Sequence, residues 1–87
     1  MRTVWKFPLV MTDYQSINMP HGAEILTVEM QGDQPCLWAL CEPENALRPR
    51  SIWIHGTGHR VGDIARYIGS VQMMGGALVF HVFEGQT

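Results

Sequence analysis

Charge is scarce in this chain: Asp, Glu, Lys and Arg together make up 16% of its 87 residues. The six basic residues are scattered along the sequence, and the formal net charge is -2. Because neutralising many phosphates needs a dense basic face, we expect no polymeric nucleic acid as a partner. A single small anion needs only two or three hydrogen-bond donors, which isolated arginines can supply.

Long apolar runs are missing as well. No stretch approaches the roughly eighteen apolar residues of a membrane-spanning helix, and the N-terminus lacks the apolar core of a secretory signal. We therefore expect a cytoplasmic protein without a membrane partner. The two cysteines, Cys36 and Cys41, lie an odd number of positions apart in a predicted strand, so their side chains point to opposite faces. We expect buried thiols rather than a disulfide, a redox pair or metal ligands.

The length of the chain allows a single domain over residues 1–87, and so short a chain buries roughly 60 to 65% of the surface that its unfolded form exposes. Apolar residues make up 46% of the sequence, so few charged residues are available to cover the surface of the folded protein. Residues 77–83 are largely apolar on both alternating faces, as is typical of a strand covered on two sides. In so small a protein the second cover is most simply another copy, so we expect a homo-oligomer.

Apolar residues alternate with a period of two, and no segment has the pattern of a long amphipathic helix. The sequence predicts an all-β fold, a compact small sandwich or barrel of six to seven short antiparallel strands. Strands are predicted at Thr3–Phe7, Tyr14–Asn18, Ala23–Met30, Pro35–Cys41, Ser51–His55, Tyr67–Gln72 and Ala77–Glu84. Two hairpins are predicted among them, one with its turn at Gln31–Gln34 and one with its turn at Met73–Gly76.

Two connections and the core complete the predicted fold. Glu42–Arg50, with its prolines and charges, is predicted to be a surface loop. Val61–Arg66 could be irregular or a helical turn begun by Asp63, and the irregular form is favoured. The predicted core is Val4, Leu26, Val28, Leu37, Trp38, Leu40, Ile52, Ile54, Val71, Val79, Phe80 and Val82.

The most chemically distinctive stretch follows the strand at Ser51–His55. Glycine-freed backbone N–H groups can form a concave anion site, to which neighbouring side chains add donors. A tryptophan or tyrosine nearby could stack on a base. The same glycines could equally serve a tight turn, and core packing is the competing use of the aromatic residues. The candidate ligand-binding residues are Gly56, Thr57, Gly58, His59, Arg60, Trp53 and Tyr67.

Catalytic alternatives depend on His55 and His59. Their spacing of four suits zinc on a helix, but the intervening Gly-Thr-Gly disfavours a helix and no third ligand lies nearby in sequence. His81, Asp63 or a cysteine could complete a zinc site only in three dimensions, and we predict no metal and no cofactor. The two imidazoles could act as acid and base in a metal-independent phosphodiesterase, with Arg60 neutralising phosphate charge. Paired carboxylates are missing from this stretch, which favours binding over turnover, although the residues leave catalysis open.

Four motifs carry a resemblance that covers nearly the whole chain. Trp5–Leu9, Pro35–Leu40, Gly56–His59 and Gly75–Glu84 resemble a small family of uncharacterised proteins found in phages and bacteria. The resemblance implies a phage or prophage setting and brings no assigned catalytic residue. A phage setting favours counter-defence, since small phage proteins that sequester nucleotide immune signals are commonly compact oligomers.

The sequence therefore predicts a phage-encoded, non-enzymatic homo-oligomer that sequesters a small anionic ligand, of which a nucleotide immune signal is an example. A different class of function is an interaction module that binds a host protein through an apolar surface including Met30, Met73 and Met74. A component of the phage particle is a third possibility.

Overall fold

The computed structural model describes residues 1–62 and 65–85, which form seven β-strands and a short 3-10 turn at Met74–Gly76. The all-β prediction is confirmed. No helix in these two ranges is long and apolar enough to cross a membrane. The strands are β1 (Thr3–Pro8), β2 (Tyr14–Pro20), β3 (Glu24–Gln31), β4 (Gln34–Cys41), β5 (Leu47–Gly56), β6 (Ala65–Met73) and β7 (Leu78–Gly85).

The strands form two antiparallel sheets. The smaller sheet has the order β1-β4-β3, and the larger has the order β2-β5-β7-β6. Two hairpins predicted from sequence are present: β3 and β4 join through the turn at Gly32, where φ is +63°, and β6 and β7 join through Met74–Gly76. Both turns contain glycine at a positive φ, a conformation that costs glycine little.

Strands β3 and β6, each at an edge of its sheet, lie side by side and bring the two sheets together. Gly69 approaches β3 so closely that an added Cβ would lie 3.1 Å from Cγ1 of Val28. Each strand also carries a register shift, between Ile25 and Thr27 in β3 and between Tyr67 and Gly69 in β6. Such bulges bend a strand and increase its twist, which suits the turn from one sheet to the other.

Both sheets contribute to a shared hydrophobic core. Six predicted core residues are buried: Val28, Leu37, Ile52, Ile54, Val71 and Val82. The buried core also contains both cysteines, which were expected to be buried, and five residues that were not predicted there: Leu9, Met19, Ala23, Ile25 and Ala39.

Two of the core predictions are wrong. Val4 is 51% exposed because it pairs with Leu40, and this register puts it on the outward face of the smaller sheet. Leu26 is 45% exposed because it is the extra residue of the β3 bulge, where strict alternation fails. Trp38, Leu40, Val79 and Phe80 are half-buried.

The prediction that Glu42–Arg50 is a surface loop is also partly wrong. Strand β5 begins at Leu47 and pairs with β2 through Pro49, which lies opposite Asn18. Pairing of β5 with β7 starts only at Ser51, so one side of β5 is without a strand partner at the proline among the described residues. An edge position tolerates the missing N–H of proline.

The segment predicted as irregular, Val61–Arg66, is shorter than expected. Val61 and Gly62 have no regular structure, whereas Ala65 and Arg66 already belong to β6. The predicted alternative of a helical turn started by Asp63 lies outside the described residues.

Both cysteines are free and fully buried, as predicted. Burial raises the pKa of the Cys41 thiol, while a backbone hydrogen bond at Trp5 and the charge of Arg50 act in the opposite direction. A buried, protonated thiol is a poor nucleophile and metal ligand. Cys41 is therefore a packing residue of β4.

Candidate functional site

The loop after β5 is a tight turn around two glycines. The backbone N–H of His59 donates to the Gly56 carbonyl at 3.1 Å, and Gly58 has a φ of +87°, where a larger residue is strained. The His59 ring lies over Gly56, and an added Cβ there would approach Cε1 of His59 to 3.0 Å. Both glycines thus have a structural use in closing this turn.

The turn places its side chains on opposite sides of the larger sheet. His59 and Gly56 line a pocket of about 190 Å³ on the inner side, together with Ile54 and Phe80 and with Met11, Thr12 and Asp13 from the β1–β2 connection. Thr57 lies on the outer side, where its hydroxyl is 2.8 Å from Nε2 of His81. The predicted site residues of this loop therefore do not converge on a single pocket.

The outer face of the larger sheet carries a row of aromatic side chains. Tyr14, Trp53, Phe83 and Tyr67 lie opposite one another in register across β2, β5, β7 and β6. Ring centroids are 4.7 Å apart for Tyr14 and Trp53 and 5.2 Å apart for Tyr67 and Phe83. These four residues are called the aromatic row. Cross-strand aromatic pairs stabilise a sheet, and here they also form an extended flat surface.

Two histidines lie next to the aromatic row. His55 and His81 are opposite each other in register. Each lies two residues along its strand from Trp53 or Phe83 and therefore on the same face. The His55 ring is parallel to the Trp53 ring within 4° at a centroid distance of 6.4 Å. The His55 and Phe83 rings form a T-shaped pair with their centroids 5.7 Å apart. The imidazole of His55 therefore extends the aromatic surface.

His81 is held by hydroxyl groups on both sides. Nδ1 lies 2.9 Å from the Tyr67 hydroxyl and Nε2 lies 2.8 Å from Oγ1 of Thr57, which also donates to the Val79 carbonyl at 3.4 Å. These bonds are all satisfied when Nε2–H donates to Thr57 and Nδ1 accepts from Tyr67. The arrangement orients Thr57 and Tyr67 at the edge of the aromatic row.

The structure brings some predicted site residues together and separates others. Trp53, Thr57 and Tyr67 meet on the outer face, while His59 lies on the inner side and Arg60 is exposed. The ion pairs and hydrogen bonds found within residues 1–62 and 65–85 do not include Arg60. His55 and His59 occupy opposite sides of the sheet, so they are not placed to act together as acid and base.

Three residues of this face, Tyr14, His81 and Phe83, were not among the predicted ligand-binding residues. A signal was present, because Trp53-x-His55 and His81-x-Phe83 repeat an aromatic and an imidazole at a spacing of two. In a strand that spacing places both side chains on one face. Which strand lies beside which is not a local property, so the pairing of these motifs could not be derived.

The Trp53 indole packs against Gly85, and we predict that Gly85→Ala will displace the indole. A Cβ at Gly85 would lie 2.6 Å from Nε1 and 2.8 Å from Cδ1 of the indole, closer than atoms can approach. We expect a shifted Trp53 indole N–H resonance and a loss of about 1–3 kcal/mol in the free energy of unfolding. Two-dimensional NMR and urea unfolding measure these effects.

Gly62→Ala is the matched control for this substitution, because an added Cβ there has none of the described atoms within 4 Å. We expect its spectrum and stability to stay near those of the parent protein. If Gly85→Ala left the Trp53 indole signal in place, the seating of Trp53 on Gly85 would be wrong.

Comparison with known proteins gives a family for the whole chain. A family model described as a domain of unknown function (DUF7352) matches residues 1–87, and the chain belongs to that family. No curated protein and no solved structure matches the chain significantly. The resemblance to an uncharacterised family is therefore confirmed, and the family description supplies no activity.

Proposed function

We propose that this protein, whose family description supplies no activity, binds a small anion with a planar group and sequesters it without turnover. A nucleotide is the ligand class that combines a flat base with negative charge. The single observation that carries the proposal is the aromatic row, with the hydroxyls of Thr57 and Tyr67 held at its edge by His81. Stacking of a base on an aromatic side chain contributes about 1–3 kcal/mol.

The partial exposure of the row supports this use. Tyr14 is 39% and Tyr67 is 51% exposed, while Trp53 and Phe83 between them are half-buried. A base can therefore reach the row from solvent and still meet side chains whose positions are set by packing. Arg60, an exposed residue three positions beyond Thr57, is the basic residue of the predicted anion-binding loop.

The surroundings of His81 favour binding over catalysis. A general base must be free to take a proton from the reacting group or from water. Both ring nitrogens of His81 already contact hydroxyl groups of the protein, and within the described parts of the chain no carboxylate bonds to His55 or His81. These contacts keep both ring nitrogens of His81 engaged and support sequestration over phosphodiester hydrolysis.

The proposal includes a homo-oligomer in the cytoplasm of a phage-infected cell, where the ligand would be a nucleotide immune signal. The aromatic row lies on the outer face of the larger sheet, and a second copy placed over this face would enclose a ligand lying on the row. Because few residues of this protein are charged, a site between subunits would also bury apolar surface that the single chain exposes.

The test is native mass spectrometry of the purified protein with a panel of cyclic and linear nucleotides. We expect a discrete oligomer that gains one nucleotide mass per subunit or per interface, with the nucleotide recovered unchanged. Trp53→Ala should weaken that binding about tenfold or more, because a stacking partner is lost. A product mass in place of the intact nucleotide would contradict sequestration.

Trp5→Ala is the matched control for Trp53→Ala. Trp5 is also a partly exposed tryptophan, 37% accessible, but it lies on β1 of the smaller sheet. We expect nucleotide binding to be unchanged in that variant. Equal weakening in both variants, or in neither, would remove the aromatic row from the site.

A host-protein interaction module is the second candidate, supported by the tip of the β6–β7 hairpin. Met74 is 78% and Leu78 is 43% exposed there, whereas Met30 and Met73 are half-buried. Exposed methionine adapts to varied partners. A protein partner from host lysate that stays bound after nucleotides are removed, and that Met74→Ala releases, would favour this function.

A further inference from the structure

A second pocket lies at the other end of β5 from the Gly56 loop. Its volume is about 270 Å³, and Arg48 and Arg50 line it together with the turn that joins β2 to β3. Arg48 and Gly56 are eight residues apart on one extended strand, which corresponds to roughly 26 Å. The pocket is therefore separate from the aromatic row and from the loop predicted to bind an anion. The turn residues that line it are Pro20, His21, Gly22 and Ala23.

Arg50 is held in position from two directions. Its Nε donates to Oε2 of Glu84, and its Nη1 donates to the Ala23 carbonyl at 2.8 Å. About a fifth of the Arg50 side chain is exposed, so its guanidinium is largely fixed by the protein. The bonds found for Arg50 in the described residues leave Nη2 without a partner, and Arg50 lines the pocket.

The pocket has an excess of positive charge. Glu84 balances Arg50 but also lies 3.7 Å from Nη1 of Arg66, so one carboxylate serves two guanidinium groups. Arg48 is exposed and takes part in none of the ion pairs found in the described part of the chain. None of the described residues that line the pocket is acidic, whereas His21 adds an imidazole.

The turn that forms the pocket wall is fixed by hydrogen bonds. The N–H of His21 donates to the Ala46 carbonyl at 2.7 Å, and Nδ2 of Asn45 donates to the His21 carbonyl at 2.9 Å. The N–H of Ala23 closes the turn on the Pro20 carbonyl at 3.0 Å. A wall held in this way needs little rearrangement when a ligand binds.

We propose that this pocket binds a small phosphate group, free or as the monoester of a small molecule. Guanidinium groups match phosphate oxygens with paired N–H donors, and Arg48 and Arg50 approach the pocket from one strand face. The volume lies just below the roughly 300–1,000 Å³ of most ligand pockets, so it suits a compact group. The inference is independent of nucleotide binding at the aromatic row.

The test is an NMR titration of the full chain at fixed pH and ionic strength with inorganic phosphate, and separately with glycerol 3-phosphate. We expect saturable shifts at the amides of Gly22 and Ala23 and at the side-chain Nε–H of Arg48 and Arg50. Arg48→Gln should weaken the apparent affinity about tenfold, the effect expected for the loss of one charged hydrogen bond.

Arg2→Gln is the matched control, because Arg2 is also exposed but does not line the pocket. Saturation by phosphate alone would identify the free ion as the ligand, and tighter binding of glycerol 3-phosphate would identify a monoester. Shifts that do not saturate, or equal losses in both variants, would overturn the proposal. Saturable shifts confined to residues 56–60 would also overturn it, and would instead support an anion site at the predicted loop.

Discussion

Leu37→Ala will lower the free energy of unfolding by about 2–5 kcal/mol, the range observed when a large apolar side chain is removed from a closed core. Leu37 is completely buried on β4, the central strand of the smaller sheet, and its neighbours in register are Phe7 on β1 and Val28 on β3. Strands on both sides hold the backbone in place, so the space left by the side chain cannot close easily. Urea unfolding followed by circular dichroism measures the change.

Leu47→Ala provides the matched control for Leu37→Ala. Leu47 is 57% exposed at the start of β5, so its truncation removes little contact with the core. We expect a change of about 0.5 kcal/mol or less, as for most surface substitutions. Similar losses in the two variants would mean that the smaller sheet does not pack on the core as described.

Glu84→Gln will destabilise the protein by about 3 kcal/mol, the lower end of the range for removing one partner of a buried ion pair. Glu84 is 18% and Arg50 is 22% exposed, and this remaining exposure keeps the loss from being larger. The substitution preserves the shape of the side chain but leaves the charge of Arg50 without its counterion. Arg66 also loses its ion-pair partner at 3.7 Å.

Glu29→Gln, on the exposed face of β3, makes the same chemical change away from this cluster. The loss in Glu84→Gln should exceed the loss in Glu29→Gln by at least 2 kcal/mol in urea unfolding at neutral pH. If the two variants were equally stable, water would be solvating Arg50 and the ion pair would contribute little.

Much of the fold could be predicted because strand and turn signals are local. The alternation in β3 and β4 and the glycines at Gly32 and Gly75 identified both hairpins, and each residue needed for those turns lies within the turn itself. Local rules failed where a strand departs from them. Leu26 was predicted in the core but is exposed, because it is the extra residue of the β3 bulge. Pro49 lies in strand β5, which tolerates it because one side of β5 lacks a strand partner there among the described residues.

The candidate site was predicted only in part. Trp53, Thr57 and Tyr67 were identified from their chemistry, and the structure places them on one face. His59 was grouped with them because it is near in sequence, but the turn at Gly58 carries its ring to the other side of the sheet. A change of face within three residues depends on backbone angles that residue types do not specify.

The sequence alone determined the strand periods, the hairpin turns, the buried cysteines and the absence of a dense basic surface. Each of these depends on neighbouring residues or on composition. Only the tertiary structure decided that Tyr14, Trp53, Phe83 and Tyr67 form one row and that Arg48 and Arg50 meet the β2–β3 turn in a pocket. These groupings join residues from strands distant in sequence. Their positions follow from strand order and register, which the packing of the whole chain selects.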